Sequence, residues 1–111
     1  MFKRTILIDL DGVLNKYSGN FNKDLIPPIL EGAKEFLQKV SKDYEIKIFT
    51  VRNKIKTAKW LIENNLDRFV SDITDKKEIS WAYIDDRCIQ FKGDFNQLLV
   101  DLKNFRPWYK N

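Results

Sequence analysis

Apolar and polar positions fall into short, sharply bounded blocks along this chain. The run Ile6-Leu7-Ile8 is a continuous apolar stretch of the kind a buried strand needs, and it stops at Asp9. Glu45 to Phe49 alternates with a period of two and reads as a second strand. Phe69 to Ile73 reads as a third, and the short run Ala82 to Ile84 as a fourth. Between these blocks the period lengthens. After Pro27-Pro28, apolar residues recur at Ile29, Ala33, Phe36, Leu37 and Val40 with helical spacing. The prolines suit the first turn of a helix, where a missing N–H does no harm. A second helix is predicted from about Lys54 to Asn64, turning Ile55, Ala58, Leu61 and Ile62 toward the sheet. A last helix starts near Asp94, a side chain suited to capping, and buries Leu98, Leu99, Leu102 and Phe105. Strands alternating with helices predict an α/β fold: a three-layer sandwich around a mainly parallel, Rossmann-like sheet.

Chemistry gathers where these strands stop. Asp9-Leu10-Asp11-Gly12-Val13 closes the first. Side chains two apart on a strand share a face, so Asp9 and Asp11 are expected to project together, and Gly12 lets the backbone turn sharply. Two carboxylates side by side repel each other unless a proton or a cation intervenes. A calcium loop would need an oxygen ligand at the fifth position and a glutamate at the twelfth; Val13 and Asn20 stand there. Thr50-Val51-Arg52-Asn53 follows the second strand, and Asp85-Asp86-Arg87 follows the fourth. Lys77 lies shortly before that last strand. Open α/β sheets bind ligands at this end of their strands.

In these residues the chain resembles the haloacid dehalogenase superfamily of phosphohydrolases. Asp9-Leu10-Asp11-Gly12-Val13 matches the first motif, Thr50 the second, Lys77 the third and Asp85-Asp86 the fourth. Within the superfamily it looks most like small capless members, with Ile84-Asp85-Asp86-Arg87 followed by Gly93-Asp94-Phe95. The resemblance spans about Ile6 to Phe95 and implies a phosphomonoester hydrolase on a HAD-like fold. Asp9 would be the nucleophile, forming an aspartyl-phosphate, with Asp11 protonating the leaving oxygen and then deprotonating water. Asp9, the main-chain carbonyl of Asp11 and Asp85 would hold a metal, with Asp86 either a second ligand or a hydrogen-bond partner to bound water, and an all-oxygen set in a chain without histidine favours Mg2+. Thr50, Arg52 and Lys77 would contact the phosphoryl group. Two other readings use the same residues: a phosphate-binding or interaction module without turnover, and a phospho-accepting receiver domain. A receiver places its acidic pair first and a lone acceptor aspartate later, the reverse of the order here.

Composition narrows the setting. A chain of 111 residues with abundant aromatics fits one domain, residues 1–111, and no Pro/Gly/Ser-rich linker divides it. The gaps between motifs hold one loop and one helix, or one helix and one strand, leaving no room for a cap domain. The site is therefore expected to be open, serving a nucleotide, a sugar phosphate or a nucleic-acid terminal phosphate. The start of the chain shows no secretion signal or membrane span, and the single Cys88, read as a buried thiol, fits a reducing cytoplasm. A net charge of +4, with Arg52, Lys54, Lys56 and Lys59 clustered after the second motif, gives a basic helix face beside the site. The tail Arg106-Pro107-Trp108-Tyr109-Lys110 is basic and aromatic and is expected to pack on the sheet or on a second subunit. A monomer or weak homodimer follows. Arg87 is expected to pair with a motif carboxylate.

Overall fold

A computed structural model describes residues 2–110. Four strands form one sheet: β1 (Arg4–Asp9), β2 (Tyr44–Phe49), β3 (Asp72–Thr74) and β4 (Ala82–Ile84), in the order β3-β2-β1-β4. Every pairing is parallel, with Ile6 opposite Ile46 on one side and Ala82 on the other. Three helices flank it, α1 (Ala33–Val40), α2 (Lys54–Glu63) and α3 (Phe95–Asn104), making a three-layer α/β sandwich of Rossmann-like topology. Loop 10–32 joins β1 to α1. No helix among the described residues is long and apolar enough to cross a membrane.

The core sits on one face of the sheet. Ile8, Ile46 and Ile48 meet Ala33 and Leu37 of α1 and Trp60 and Leu61 of α2 in one cluster that also takes in Leu10, Leu14 and Leu66. The opposite face carries Leu7, Asp9, Lys47, Phe49 and Tyr83, as strand alternation requires. There Lys47 pairs with Glu78 at 2.9 Å, and Tyr83 donates its hydroxyl to the Glu78 carbonyl, tying segment 75–81 across it. Burial is uneven along the chain: among the described residues, none after Leu66 is fully buried.

Several sequence expectations are corrected. The helix after Pro27-Pro28 begins only at Ala33; Ile29 instead forms an antiparallel bridge with Asn15, and Pro28 accepts from the Lys16 N–H at 2.9 Å. A residue preceding proline is pushed toward extended backbone, which opposes a helix at that point. Phe69 is no strand start. It ends a 3-10 turn, Asp67–Phe69, and the strand covers Asp72–Thr74, because apolar residues that plug the core from a turn look like a strand in sequence. Helix α2 has nearly the expected bounds, but its buried face is Thr57, Trp60 and Leu61, while Ile55 and Ile62 are exposed. Thr57 tolerates burial because its hydroxyl donates to the Asn53 carbonyl at 2.9 Å, and the Trp60 indole donates to Pro27. The helix stops at Asn65, whose positive φ of 58° lets Leu66 donate to Leu61 and Asn65 to Ile62, a Schellman ending.

Asp94 does cap α3, accepting from the N–H groups of Asn96 and Gln97. Its apolar side is only half used: Leu98 and Phe105 are half-buried, but Leu99 and Leu102 are exposed, at 66% and 63%. Cys88 is exposed as well, contrary to the buried thiol expected, because it lies in the loop beyond the short β4.

Candidate active site

A sheet with all strands parallel brings their carboxyl ends to one edge. Asp9 closes β1, Thr50 follows β2, and Asp85-Asp86 follow β4. Strand β1 has β2 on one side and β4 on the other, so the connections diverge at Asp9, the position where such folds form a crevice. Carboxylate oxygens of Asp9, Asp85 and Asp86 all lie within 4.8 Å of one another. Their proximity carries an electrostatic penalty. The Asp9 carboxyl is pushed up to about 8, by burial first, then by a hydrogen bond with Asp86 and the negative charges of Asp85, Asp86 and Asp11. Asp85 is raised too, chiefly by burial and by Asp86. Burial works the same way on Asp86, but hydrogen bonds from Tyr109, Asp9 and Asp85 outweigh it and leave its carboxyl lowered. Burial and the neighbouring negative charges thus both favour the neutral form of Asp9.

Asp11 is absent from this cluster. It lies beyond the end of β1, in the turn, so strand alternation does not align it with Asp9. Arg52 Nε donates to both of its oxygens, at 2.9 and 3.2 Å, and Asn15 Nδ2 donates at 2.9 Å. Asn15 is fully buried; its carbonyl oxygen also accepts from the N–H groups of Gly12 and Tyr17, so it organises the whole turn. Nothing in the sequence marked Asn15 beyond its being a polar residue next to an apolar one. Arg52, read as part of a basic surface, is buried. Its Nη1 donates to the Asn22 carbonyl at 2.7 Å, and its Nη2 is buried with no partner among the described residues. Thr50 is buried beside it, accepting the Arg52 N–H at 3.1 Å. Of the remaining basic cluster, Lys54 pairs with Asp72 and Lys56 with Asp24.

Lys77 is exposed, its Nζ 5.0 Å from the Tyr83 ring centre. It lines a cleft of about 170 Å³ together with Asp9, Asp85 and Cys88, whereas Lys76 lines a different hollow beside Thr50 and Arg52. A hollow of about 560 Å³ lies at the amino ends of the strands, around Lys3, Glu45 and Arg68, away from the acidic cluster. Arg87 makes no ion pair among the described residues, against expectation; its N–H bonds Asp85 at 2.8 Å while its guanidinium reaches the hydroxyls of Tyr109 and Tyr17. The aromatic tail packs against the turn after β1 rather than on the sheet. Trp108 Nε1 donates to the Gly12 carbonyl at 2.6 Å, and the Tyr109 hydroxyl donates to Asp86 at 2.7 Å.

No family model matches the chain, and no curated protein does. Among solved structures it is similar to the conserved protein coded by a locus from Bacteroides thetaiotaomicron, with 17% identity and a TM-score of 0.63, over 92% of this chain and 91% of that one. That likeness defines a small α/β domain with a parallel sheet flanked by helices, a Rossmann-like fold. On that fold this chain carries a cluster of three aspartates suited to a catalytic or cation-binding role.

Proposed function

We propose that the protein is a phosphomonoester hydrolase of the haloacid dehalogenase type, working through an aspartyl-phosphate on Asp9. The observation that carries this reading is the meeting of Asp9 with Asp85 and Asp86 at the carboxyl edge of the sheet, with Asp11, Arg52 and Thr50 around the adjoining turn. Three carboxylates gathered within 4.8 Å, whose mutual repulsion raises Asp9, suit a hard divalent cation, and oxygen-only donors favour Mg2+. Asp9, Asp85, Asp86 and the Asp11 carbonyl would hold it. When bound, it supplies positive charge to the cluster and to the phosphoryl oxygens.

The chain's own residues divide the remaining work. A carboxylate oxygen of Asp9 attacks phosphorus, and the ester oxygen departs with a proton from Asp11, which must first take up that proton on an oxygen released from the ion pair with Arg52. Asp11 then takes a proton from water, whose oxygen attacks the phosphorus, releasing phosphate and restoring Asp9. Thr50 has a hydroxyl hydrogen to donate to a phosphoryl oxygen, and Arg52, whose Nη2 is buried without an acceptor among the described residues, would reach one only by a shift of its side chain. Lys77, on the cleft with Asp9, offsets charge on the transferred group. The open edge admits nucleotides, sugar phosphates and nucleic-acid terminal phosphates alike.

The test is a panel of phosphomonoesters with the purified protein, in Mg2+ and then in EDTA. Turnover that needs Mg2+ and disappears in a folded Asp9→Asn variant is expected, because an amide cannot be the nucleophile. Turnover retained by that variant removes Asp9 from the mechanism. Phosphate binding without turnover by the unmodified protein would instead mark a binding module on the same fold.

A further inference from the structure

Trp108 and Tyr109 are built into the site's wall. Tyr109 stands edge-on to Tyr17 and to Trp108, with ring centres 5.7 and 5.6 Å apart, and Arg87 Nε donates to its hydroxyl oxygen at 3.3 Å. The Trp108 side chain remains 61% exposed, so its directional bond to the Gly12 carbonyl, rather than burial, holds the indole. Gly12 is wedged between the same partners: a Cβ there would lie 2.3 Å from Asp86 Oδ2 and 3.0 Å from the Tyr109 ring. Turn, carboxylate and phenol interlock.

We infer that Tyr109 is a positioning residue of the cation site, fixing Asp86 through its hydroxyl and so setting the affinity for the ion. The inference rests on reading Asp9, Asp85 and Asp86 as that site. A carboxylate has about four lone-pair positions, and the phenol occupies one on Oδ2, leaving the others for the ion. Because the donor is neutral, it orients Asp86 without cancelling the negative charge that the ion needs. Arg87 at the phenol oxygen polarises the O–H toward Asp86. Partners of this kind, one bond removed from the ion, typically change affinity about 10- to 100-fold.

Tyr109→Phe keeps the ring and its aromatic contacts but deletes the donor. Mg2+ binding by the full chain, followed calorimetrically, should weaken about tenfold or more, while the protein still melts cooperatively in EDTA. Trp108→Phe, which loosens the tail but spares the Tyr109 hydroxyl, should weaken binding less. In an Asp86→Asn background, adding Tyr109→Phe should change little, since the group it orients is gone. Equal Mg2+ affinity of Tyr109→Phe and the unmodified protein overturns the inference while leaving the cation site standing. A loss as large in the Asp86→Asn background, or a larger one from Trp108→Phe, also overturns it. Failure of the unmodified protein to bind Mg2+ overturns both the inference and the reading of the site.

Discussion

Cation binding should be coupled to the release of a proton, and the coupling is large enough to measure. With its carboxyl pushed up to about 8, Asp9 is protonated in the cation-free protein through the neutral range. An ion that needs the charged form must displace that proton, so its apparent affinity follows the ionised fraction of Asp9. That fraction is about one half at pH ~8 and about one hundredth at pH ~6, so apparent Mg2+ affinity should fall about 50-fold between them. Carboxylates at the ordinary value of 3.8 would be ionised throughout that range and would give a flat profile. The assay is isothermal titration with Mg2+ at several pH values, repeated in buffers of different ionisation heat, which counts protons released per ion. About one proton should be released near pH ~6 and almost none near pH ~9.5. Asp9→Asn should bind more weakly throughout, with the slope across the neutral range gone. A pH-independent affinity between pH ~6 and ~8, with no proton release, would refute the upward shift of the Asp9 carboxyl.

The same shift governs stability in EDTA. A carboxyl raised on folding makes the native state hold a proton that the unfolded chain has lost, so the Asp9 contribution to stability falls as pH rises from about 4 to about 8 and then levels. Thermal melts of Asp9→Asn in EDTA should match the unmodified protein near pH ~4 and exceed it at pH ~8.5; a lower melting temperature at the higher pH would contradict the repulsion described. Gly12→Ala should destabilise by about 1–3 kcal/mol, since alanine must adopt a φ of 82° with its Cβ pressed into Asp86. It should also weaken Mg2+ binding. Urea titration and calorimetry would measure the two losses, and a neutral alanine would show that the turn relaxes freely.

What the sequence revealed follows from how locally each feature is encoded. β1, β2 and β4 announce themselves by apolar runs that end in polar residues, and the carboxylates at those ends are legible because parallel strands bring their ends together. Asp94 was readable as a cap because its bonds go only two and three residues along the chain. Phe69 and Val70 misled because apolar character does not say whether a residue enters the core from a strand or from a turn. Ile55 and Ile62 misled for a related reason: Trp60 and a self-satisfied Thr57 claim the inner face of α2, which hydrophobicity alone does not rank. Arg52 looked like surface charge, since nothing local reveals a carboxylate partner 41 residues earlier. The bond from Trp108 to Gly12 spans 96 residues and the one from Tyr109 to Asp86 spans 23, and neither leaves a periodic trace.

The confinement of full burial to residues up to Leu66 separates two events in the life of the molecule. Strands β1 and β2 with α1 and α2 gather nearly all of the interior, so their amides should exchange with solvent most slowly, near the free energy of global unfolding. The segment from β4 to the tail is held by short pairings and exposed hydrogen bonds and should open at lower free energy. Each such opening carries Asp85 and Asp86 away from Asp9 and relieves their mutual repulsion. During synthesis the order is the same. A nascent chain can consolidate its interior before the carboxylates meet, and Tyr109, made after Asp85 and Asp86, closes the assembly.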